Sequence, residues 1–250
     1  FTTMRKPNMN MNKLTGLLFG LISLGLITAC SHKSATELSS KDKNLITVDN
    51  GADVPTIDPT ISQDNTSTRV LYDLFEGLTS FDQSQKTIPG LAEKWEVSPD
   101  GKTYTFHLRS GIKFSDSSPI TAEDVVFSWQ RLVDPKMASP YSILANNLVN
   151  ANKIIAGKLP LDQLGVKALD AQTIQINLIN PDSSFLQICA MPNVAIMSKA
   201  NVTKFGQAWT NPKNIVTSGA YTLSEWIIQG HMLLTKNPNY YDAKSVAIEK

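Results

Sequence analysis

The sequence contains few residues of the types that mark special classes of protein. Two of its 250 residues are cysteine and three are histidine, and 23 Lys and Arg residues nearly balance 22 Asp and Glu residues. Two cysteines are too few for a disulfide framework, and a near-neutral chain does not have the basic surface that binds nucleic acid. Its 13 glycines and 13 prolines form no repeat, which excludes a collagen-like chain. With 42% hydrophobic residues, the composition is that of one large or two modest globular domains.

Motifs for catalysis, metal binding and cofactor binding are also missing. The sequence contains no H-E-x-x-H zinc motif, no G-x-S-x-G nucleophile elbow, no phosphate-binding loop and no dinucleotide fingerprint. The three histidines are far apart in the chain: His32, His107 and His231. Asp53 and Asp58 lie close together, but in a Pro-rich segment where structural roles are usual. We therefore predict no catalytic residue, no metal site and no cofactor.

Residues 1–29 have the pattern of an export signal. Lys13 precedes an apolar run of 14 residues, 14–27, which is shorter than the roughly 20 residues of a membrane-spanning helix. A short positive start, an apolar middle and a small-residue end are typical of a secretory signal peptide. Residues 1–10 precede the better start at Met11 and are interpreted as upstream read-through.

The end of this run, Ile27-Thr28-Ala29-Cys30, resembles the lipobox of bacterial lipoproteins. The resemblance implies cleavage before Cys30 and lipid attachment to it, and several acyl chains on one residue anchor a protein firmly. Residues 30–43 would then be the lipidated cysteine and a polar tether, and the protein would be exported to the periplasm or cell envelope. A plain signal peptide in which Cys30 is incidental, and a buried helix, remain as alternatives.

From residue 44 onward, the spacing of apolar residues predicts a mixture of helices and strands. Helices are predicted at 66–78 and from an N-cap at Thr121 to Asp134. Residues 104–109 alternate between apolar and polar, as in a half-buried strand. Further strands are predicted at 45–48, 95–97, 221–223 and 231–235, with a hairpin at 165–178. Because there is no regular βαβ order, the sequence predicts the α+β class with mixed sheets.

Several residues are predicted to be buried. Cys189 lies in an apolar stretch and is interpreted as a small buried residue. The residues predicted to face inward from the strands are Tyr104, Phe106, Leu108, Ile174, Ile176 and Leu178. The four tryptophans, Trp95, Trp129, Trp209 and Trp226, are interpreted as residues of the core or of a cleft wall.

A series of short segments carries a resemblance to a known family and, with similar ones, covers nearly all of 45–245. They include Ile57-Asp58-Pro59, Asp73-Leu-Phe-Glu-Gly-Leu78, Pro119-Ile-Thr-Ala-Glu-Asp124, Phe127-Ser-Trp-Gln-Arg131, Ser139-Pro-Tyr141 and Asn214-Ile-Val-Thr-Ser-Gly-Ala-Tyr221. The chain resembles the N-terminal part of an oligopeptide-binding protein of the ABC-transporter solute-binding family 5, of the lipoprotein type. Its Ser-Pro-Tyr and Asn-Ile-Val-Thr segments are more similar to the peptide binders than to the nickel or haem binders of the same family.

The resemblance implies a periplasmic-binding-protein-like clamp of two lobes (type II) with an extra subdomain. Residues 44–75 and 199–250 would form the first lobe, which is incomplete, and residues 76–198 the extra subdomain. The second lobe is expected to be missing, so that the chain is truncated and its cleft cannot close. Ser117 stands where the family usually has Gly, which is expected to alter a tight turn there.

The resemblance also implies where a ligand binds. In the family, an extended peptide lies between the lobes and is held largely by main-chain hydrogen bonds. The positions that match its contacts are Gln63, Asp64, Asn65 and Tyr141. Family members often have an acid at the position of Gln63, so contacts to basic side chains are expected to be weaker here. The alternative for Tyr141 is a core aromatic.

The function implied is that of the solute-binding subunit of an ABC importer. It would capture oligopeptides and deliver them to the permease and ATPase subunits, as a monomer anchored to the membrane by lipid, without binding nucleic acid and without enzymatic activity. Three alternatives stay open: a murein peptide, metal-chelate or haem ligand within the same family; a secreted hydrolase with its catalytic residues beyond Lys250; and a surface lipoprotein that binds no ligand.

Overall fold

The computed structural model of the protein describes residues 44–250. The predicted signal peptide (1–29), the predicted lipid attachment at Cys30 and the predicted tether (30–43) lie outside the described residues. Within 44–250, no helix combines the length and the apolar character needed to cross a bilayer.

The described chain contains short helices and antiparallel strands. The helices are α1 (Asn65–Leu74), α2 (Ala122–Val133), α3 (Ala151–Ile155), α4 (Phe185–Ile188) and α5 (Lys199–Phe205). The strands are β1 (Thr79–Phe81), β2 (Thr87–Pro89), β3 (Ala92–Val97), β4 (Thr103–Leu108), β5 (Val166–Ala168), β6 (Thr173–Asn177), β7 (Tyr221–Ile227) and β8 (His231–Lys236). They form the pairs β1–β2 and β7–β8 and a four-stranded sheet in the order β3-β4-β6-β5. This mixture confirms the α+β class, but the expected mixed sheets are wrong, because every strand pair in residues 44–250 is antiparallel.

The four-stranded sheet buries one face. In β4 every second side chain is buried, namely Tyr104, Phe106 and Leu108, as the sequence predicts. Strand β6 places Ile176 opposite Tyr104 and Ile174 opposite Phe106. Directly opposite residues share a face of the sheet, so both isoleucines extend the same buried surface.

Helix α2 covers that surface with an apolar stripe. Its fully buried side chains lie three or four residues apart: Val125, Trp129 and Leu132. At the start of the helix, the backbone N–H and the hydroxyl of Thr121 both donate to Asp124 Oδ2, at 3.0 and 2.9 Å. The carboxylate also lies at the positive end of the helix dipole. The predicted helix and its N-cap are therefore confirmed.

Buried apolar side chains form two clusters. The larger cluster comes almost entirely from residues 78–196 and contains Phe106 and Trp129. The smaller cluster joins the chain before α1 to α1, α5 and β7, and contains Leu71 and Trp209. The division into a first lobe and an extra subdomain stays a prediction.

One predicted helix is too long, the strands predicted at 95–97 and 221–223 are too short, and one predicted strand does not form. The helix predicted at 66–78 runs only from Asn65 to Leu74, because Phe75 has an extended backbone (φ −133°, ψ 145°). Past that point Gly77 packs so closely that a Cβ there would lie 2.2 Å from the carbonyl oxygen of Cys189. Residues 45–48 form no strand. Asn44 and Ile46 make three backbone hydrogen bonds to 249–250, too few for a sheet ladder.

Two further predictions concern the single residues Cys189 and Ser117. Cys189 is 1% exposed and unpaired, as predicted, and burial raises the pKa of its thiol well above the ordinary range. Ser117 adopts a left-handed backbone (φ 71°) and still forms a tight turn, in which its N–H donates to the Phe114 carbonyl at 2.9 Å. Its hydroxyl accepts a hydrogen bond from the Asn239 side chain at 3.1 Å.

Candidate binding surface

The residues predicted to face a ligand lie on two segments. Gln63 and Asn65 are exposed at the end of the 58–65 loop, which leads into α1, and the intervening Asp64 is half-buried. Tyr141 is half-buried, just before a 3-10 helix (Ser142–Ala145), and packs against the larger cluster. Tyr141 thus combines partial exposure with the core packing of the alternative interpretation.

Gln63 is unusual within the loop. Among residues 44–250 it has no hydrogen-bond partner for its backbone N–H, its carbonyl or its side-chain amide. Exposed backbone groups of this kind are free to pair with an extended chain, in the manner of an added strand. The Tyr141 hydroxyl is likewise without a partner among the described residues.

Asp64 has a different environment from its neighbours. It is the N-cap of α1, and its carboxylate accepts hydrogen bonds from the Ser67 N–H at 2.7 Å, the Ser67 hydroxyl at 2.8 Å and the Thr66 hydroxyl at 2.5 Å. Partial burial opposes ionisation, but these hydrogen bonds outweigh it and hold the pKa of Asp64 below its ordinary value. The capping signal is present in the sequence, since Asp is a favoured N-cap residue and Asp64 directly precedes the first residue of α1.

A buried ion pair lies beneath the loop. Arg131, near the end of α2, donates from Nη1 to Asp58 Oδ1 and from Nη2 to Asp58 Oδ2, both at 2.6 Å. The indole N–H of Trp209 donates to Asp58 Oδ2 at 3.3 Å. The side chains of Asp58 and Arg131 are 8% and 10% exposed. Sequence reasoning gave Asp58 a structural role but did not find Arg131, which is 73 residues away.

Thr60 connects this ion pair to the second segment. Thr60 is fully buried, and its N–H donates to Asp58 Oδ1 at 3.0 Å, while its hydroxyl accepts from Arg131 Nη1. Its carbonyl accepts from the Ser139 hydroxyl at 2.6 Å. Ser139 Oγ in turn accepts the Tyr141 N–H at 3.2 Å. The structure therefore joins the 58–65 loop to the 139–141 segment.

Asn193 fixes the loop from another side. Its buried side-chain amide donates to the carbonyls of Pro59 at 3.0 Å and Ser62 at 3.2 Å. The Ser62 N–H donates to the Asp58 carbonyl at 3.1 Å. The buried side of the loop is thus held by four residues from other parts of the chain, namely Arg131, Ser139, Asn193 and Trp209. Gln63 and Asn65 are exposed.

Other features of the described residues offer less to a ligand. A shallow groove of about 620 Å³ lies between the starts of α2 and α5, and its lining includes none of the four predicted residues. Within 44–250, no three His, Cys, Asp or Glu side chains lie close enough together to hold a metal ion.

Comparison with known proteins identifies relatives among the bacterial solute-binding proteins, and the ligands in their names include oligopeptides, murein peptides and deoxycholate. The model of the bacterial extracellular solute-binding proteins, family 5 (Middle), matches residues 86–250. The periplasmic oligopeptide-binding protein OppA of Salmonella typhimurium is 43% identical over 234 residues, which make up 92% of this chain and 42% of that protein. The chain thus spans about two fifths of the length of this relative.

Solved structures give the same result for the fold. The structure of Burkholderia pseudomallei OppA has a TM-score of 0.75 and 41% identity, over 77% of this chain and 38% of that one. Haemophilus influenzae OppA in complex with RPPGFSPFR has a TM-score of 0.76 and 38% identity, over 78% and 38% of the two chains. The predicted fold is therefore confirmed over the aligned part. Because the family model extends over more than half of the chain, the protein belongs to the family 5 bacterial extracellular solute-binding proteins.

Proposed function

We propose that this chain is part of the solute-binding subunit of an ABC importer for oligopeptides, and that the 58–65 loop and Tyr141 face the peptide. The observation that carries the proposal is Gln63, an exposed residue whose backbone N–H and carbonyl have no partner among the described residues. An extended peptide offers the complementary groups along its whole length. The Haemophilus influenzae relative forms a complex with a nine-residue peptide, RPPGFSPFR.

The chemistry of the loop favours broad recognition. Gln63 and Asn65 are uncharged, and the Asp64 carboxylate already accepts three hydrogen bonds from residues 66 and 67. Main-chain pairing does not depend on the peptide's side chains. We therefore propose that this surface accepts many sequences and does not select basic side chains, in line with the uncharged Gln63.

The proposal extends to location and partners. An exported protein, lipidated at Cys30 and held in the periplasm or cell envelope, would capture peptides as a monomer and pass them to permease and ATPase subunits. Support comes from the lipobox-like Ile27-Thr28-Ala29-Cys30 and from relatives named as periplasmic oligopeptide-binding proteins. No enzymatic activity is proposed, and the family is one of solute-binding proteins.

An NMR titration of the chain with penta-alanine tests the proposal. We expect the amide signal of Gln63 to shift in a saturable manner, with smaller shifts at Asn65 and Tyr141. The Gln172 amide serves as the control, because it already donates to Asp170 Oδ1 at 2.7 Å. No shift at Gln63 at millimolar peptide would contradict the proposal, and cleavage of the peptide in the same sample would favour the hydrolase alternative.

A further inference from the structure

The contacts beneath the 58–65 loop converge on the guanidinium of Arg131. Besides its two bonds to Asp58, Nη1 contacts the Thr60 hydroxyl and lies 3.8 Å from Met197 Sδ. We infer that Arg131 is a positioning residue, which holds the 58–65 loop and the 139–141 segment in one fixed arrangement and so sets the spacing of the surface proposed to face the peptide. The peptide part of this inference rests on the proposed function.

The geometry requires an arginine rather than any positive charge. A guanidinium is planar and presents its N–H groups as a fork that matches both oxygens of a carboxylate. Both Asp58 oxygens are bound in this way, and one terminal nitrogen also reaches Thr60. A lysine ammonium would keep the charge but could not hold the carboxylate and the Thr60 hydroxyl in the same plane.

Stability alone does not account for this arrangement. Removing two charges from water costs about as much as their attraction returns, so a buried ion pair is a weak source of net stability. Its bidentate geometry, in contrast, permits one orientation of the Asp58 side chain. Asp58 accepts the Thr60 N–H through Oδ1, and its carbonyl accepts the N–H groups of Ile61 and Ser62 at 3.2 and 3.1 Å. The orientation of Asp58 therefore decides the course of the loop.

The same contacts reach Tyr141. The Thr60 carbonyl accepts from Ser139, and Ser139 accepts the Tyr141 N–H. Arg131 makes no hydrogen bond or ion pair with Tyr141 among the described residues, and the hydrogen bonds that link Arg131 to that N–H run through Thr60 and Ser139. The inference therefore predicts that an Arg131 variant changes hydrogen exchange at the Tyr141 N–H.

Amide hydrogen exchange of the chain tests the inference. Arg131→Lys, and the double variant Asp58→Asn with Arg131→Gln, remove the fork without leaving an unpaired buried charge. We expect exchange at Thr60, Ile61 and Ser62 to become about tenfold faster while exchange at Trp129 in α2 stays unchanged. Unchanged exchange at 60–62, or an equal increase throughout the chain, would overturn the positioning role.

An exposed ion pair supplies the control for the buried one. Lys199 and Glu123 lie 3.5 Å apart, with side chains 54% and 64% exposed. Neutralising both, by Lys199→Gln with Glu123→Gln, should leave exchange at 60–62 and at Tyr141 unchanged. The Tyr141 N–H should exchange faster in Arg131→Lys and in Ser139→Ala. If it responds only in Ser139→Ala, the coupling between the two segments is wrong.

A peptide titration separates this inference from the proposed function. If both are correct, Arg131→Lys should weaken the binding of penta-alanine about tenfold, while its thermal unfolding midpoint stays close to that of the native chain. If the native chain binds no penta-alanine, the proposed peptide contact of this surface is wrong, but the exchange rates at 60–62 still decide whether Arg131 positions the loop. Equal affinity of the native chain and Arg131→Lys would overturn the role of Arg131 in peptide binding.

Discussion

The two apolar clusters differ in how completely secondary structure covers them. Around the larger cluster, the inward residues of β4 are at most 6% exposed and α2 closes the sheet face. Next to the smaller cluster, Leu223 is the one buried residue of strands β7 and β8. At the end of that strand pair, Ile227 and Ile228 are 47% and 76% exposed.

This difference shows that regular strands do not imply a closed core. A two-stranded ribbon is at best marginally stable by itself, whereas a sheet of three or more strands packed on a helix can be stable. The β7–β8 pair therefore depends on its packing against α1 and the rest of the smaller cluster, while the four-stranded sheet carries its own core. The two regions should respond differently to the same kind of substitution.

The largest expected difference concerns two tryptophans. Trp129→Ala, in the larger cluster, should lower the free energy of unfolding by about 3–5 kcal/mol, because it empties a fully buried site. Trp226→Ala, in β7, should lower it by about 1 kcal/mol or less, since that side chain is half-buried. Denaturant unfolding of both variants measures the difference. Equal losses would show that the two clusters are equally well covered.

A smaller effect is expected at the helix caps. Asp64→Ala at α1 and Thr121→Ala at α2 should each lower the free energy of unfolding by about 1 kcal/mol at neutral pH. The effect of Asp64 should depend on pH. Because its pKa is lower in the folded state, its contribution is present above the ordinary aspartate pKa and is lost as the pH falls through the folded-state value. Unfolding midpoints of Asp64→Ala and the native chain at neutral and acidic pH measure this dependence, and an equal loss at both pH values would contradict it.

A pH effect of opposite sign is expected at Glu76. Glu76 is 8% exposed and accepts a hydrogen bond from the Tyr240 hydroxyl at 3.0 Å, and burial raises the pKa of its carboxyl despite that bond and the nearby Arg109. The stability from the neutral acid is thus complete below the ordinary glutamate pKa and is lost as the pH rises through the folded-state value. Compared with Glu76→Gln, the native chain should lose stability as the pH rises above the ordinary glutamate pKa of about 4.3. Parallel unfolding midpoints above that pH would show that Glu76 does not titrate there.

The smallest effect on stability is expected at the tip of the β7–β8 pair. Ile228→Ser should change the free energy of unfolding by less than about 0.5 kcal/mol, because the side chain is exposed. Denaturant unfolding of both proteins measures this. A large loss of stability would mean that Ile228 belongs to the smaller cluster after all.

Local patterns predicted the larger cluster well. Strand β4 and helix α2 follow their apolar periods, and both are confirmed down to the cap at Thr121. The end of α1 could not be predicted in this way. Residues 75–78 continue an apolar pattern, but their extended course depends on the packing of Gly77 against Cys189, more than a hundred residues away.

The candidate surface was predictable in part. Family resemblance supplied Gln63, Asp64, Asn65 and Tyr141, and their contact with a peptide stays a prediction. The cap formed by Asp64 has a local signal, because Asp is a favoured N-cap residue. The predicted helix nevertheless begins only at Thr66. The pairing of Asp58 with Arg131 had no local signal, because partners 73 residues apart leave no periodic trace in one sequence.

The burial of Cys189 makes its thiol a reporter of local opening of the protein. Alkylating reagents react with an accessible thiolate, and Cys189 is neither accessible nor easily ionised while α4 stays packed on β1. That packing includes the hydrogen bond that the Thr79 hydroxyl donates to the Leu186 carbonyl at 2.6 Å. The rate at which Cys189 is alkylated therefore measures how often this part of the larger cluster opens under native conditions.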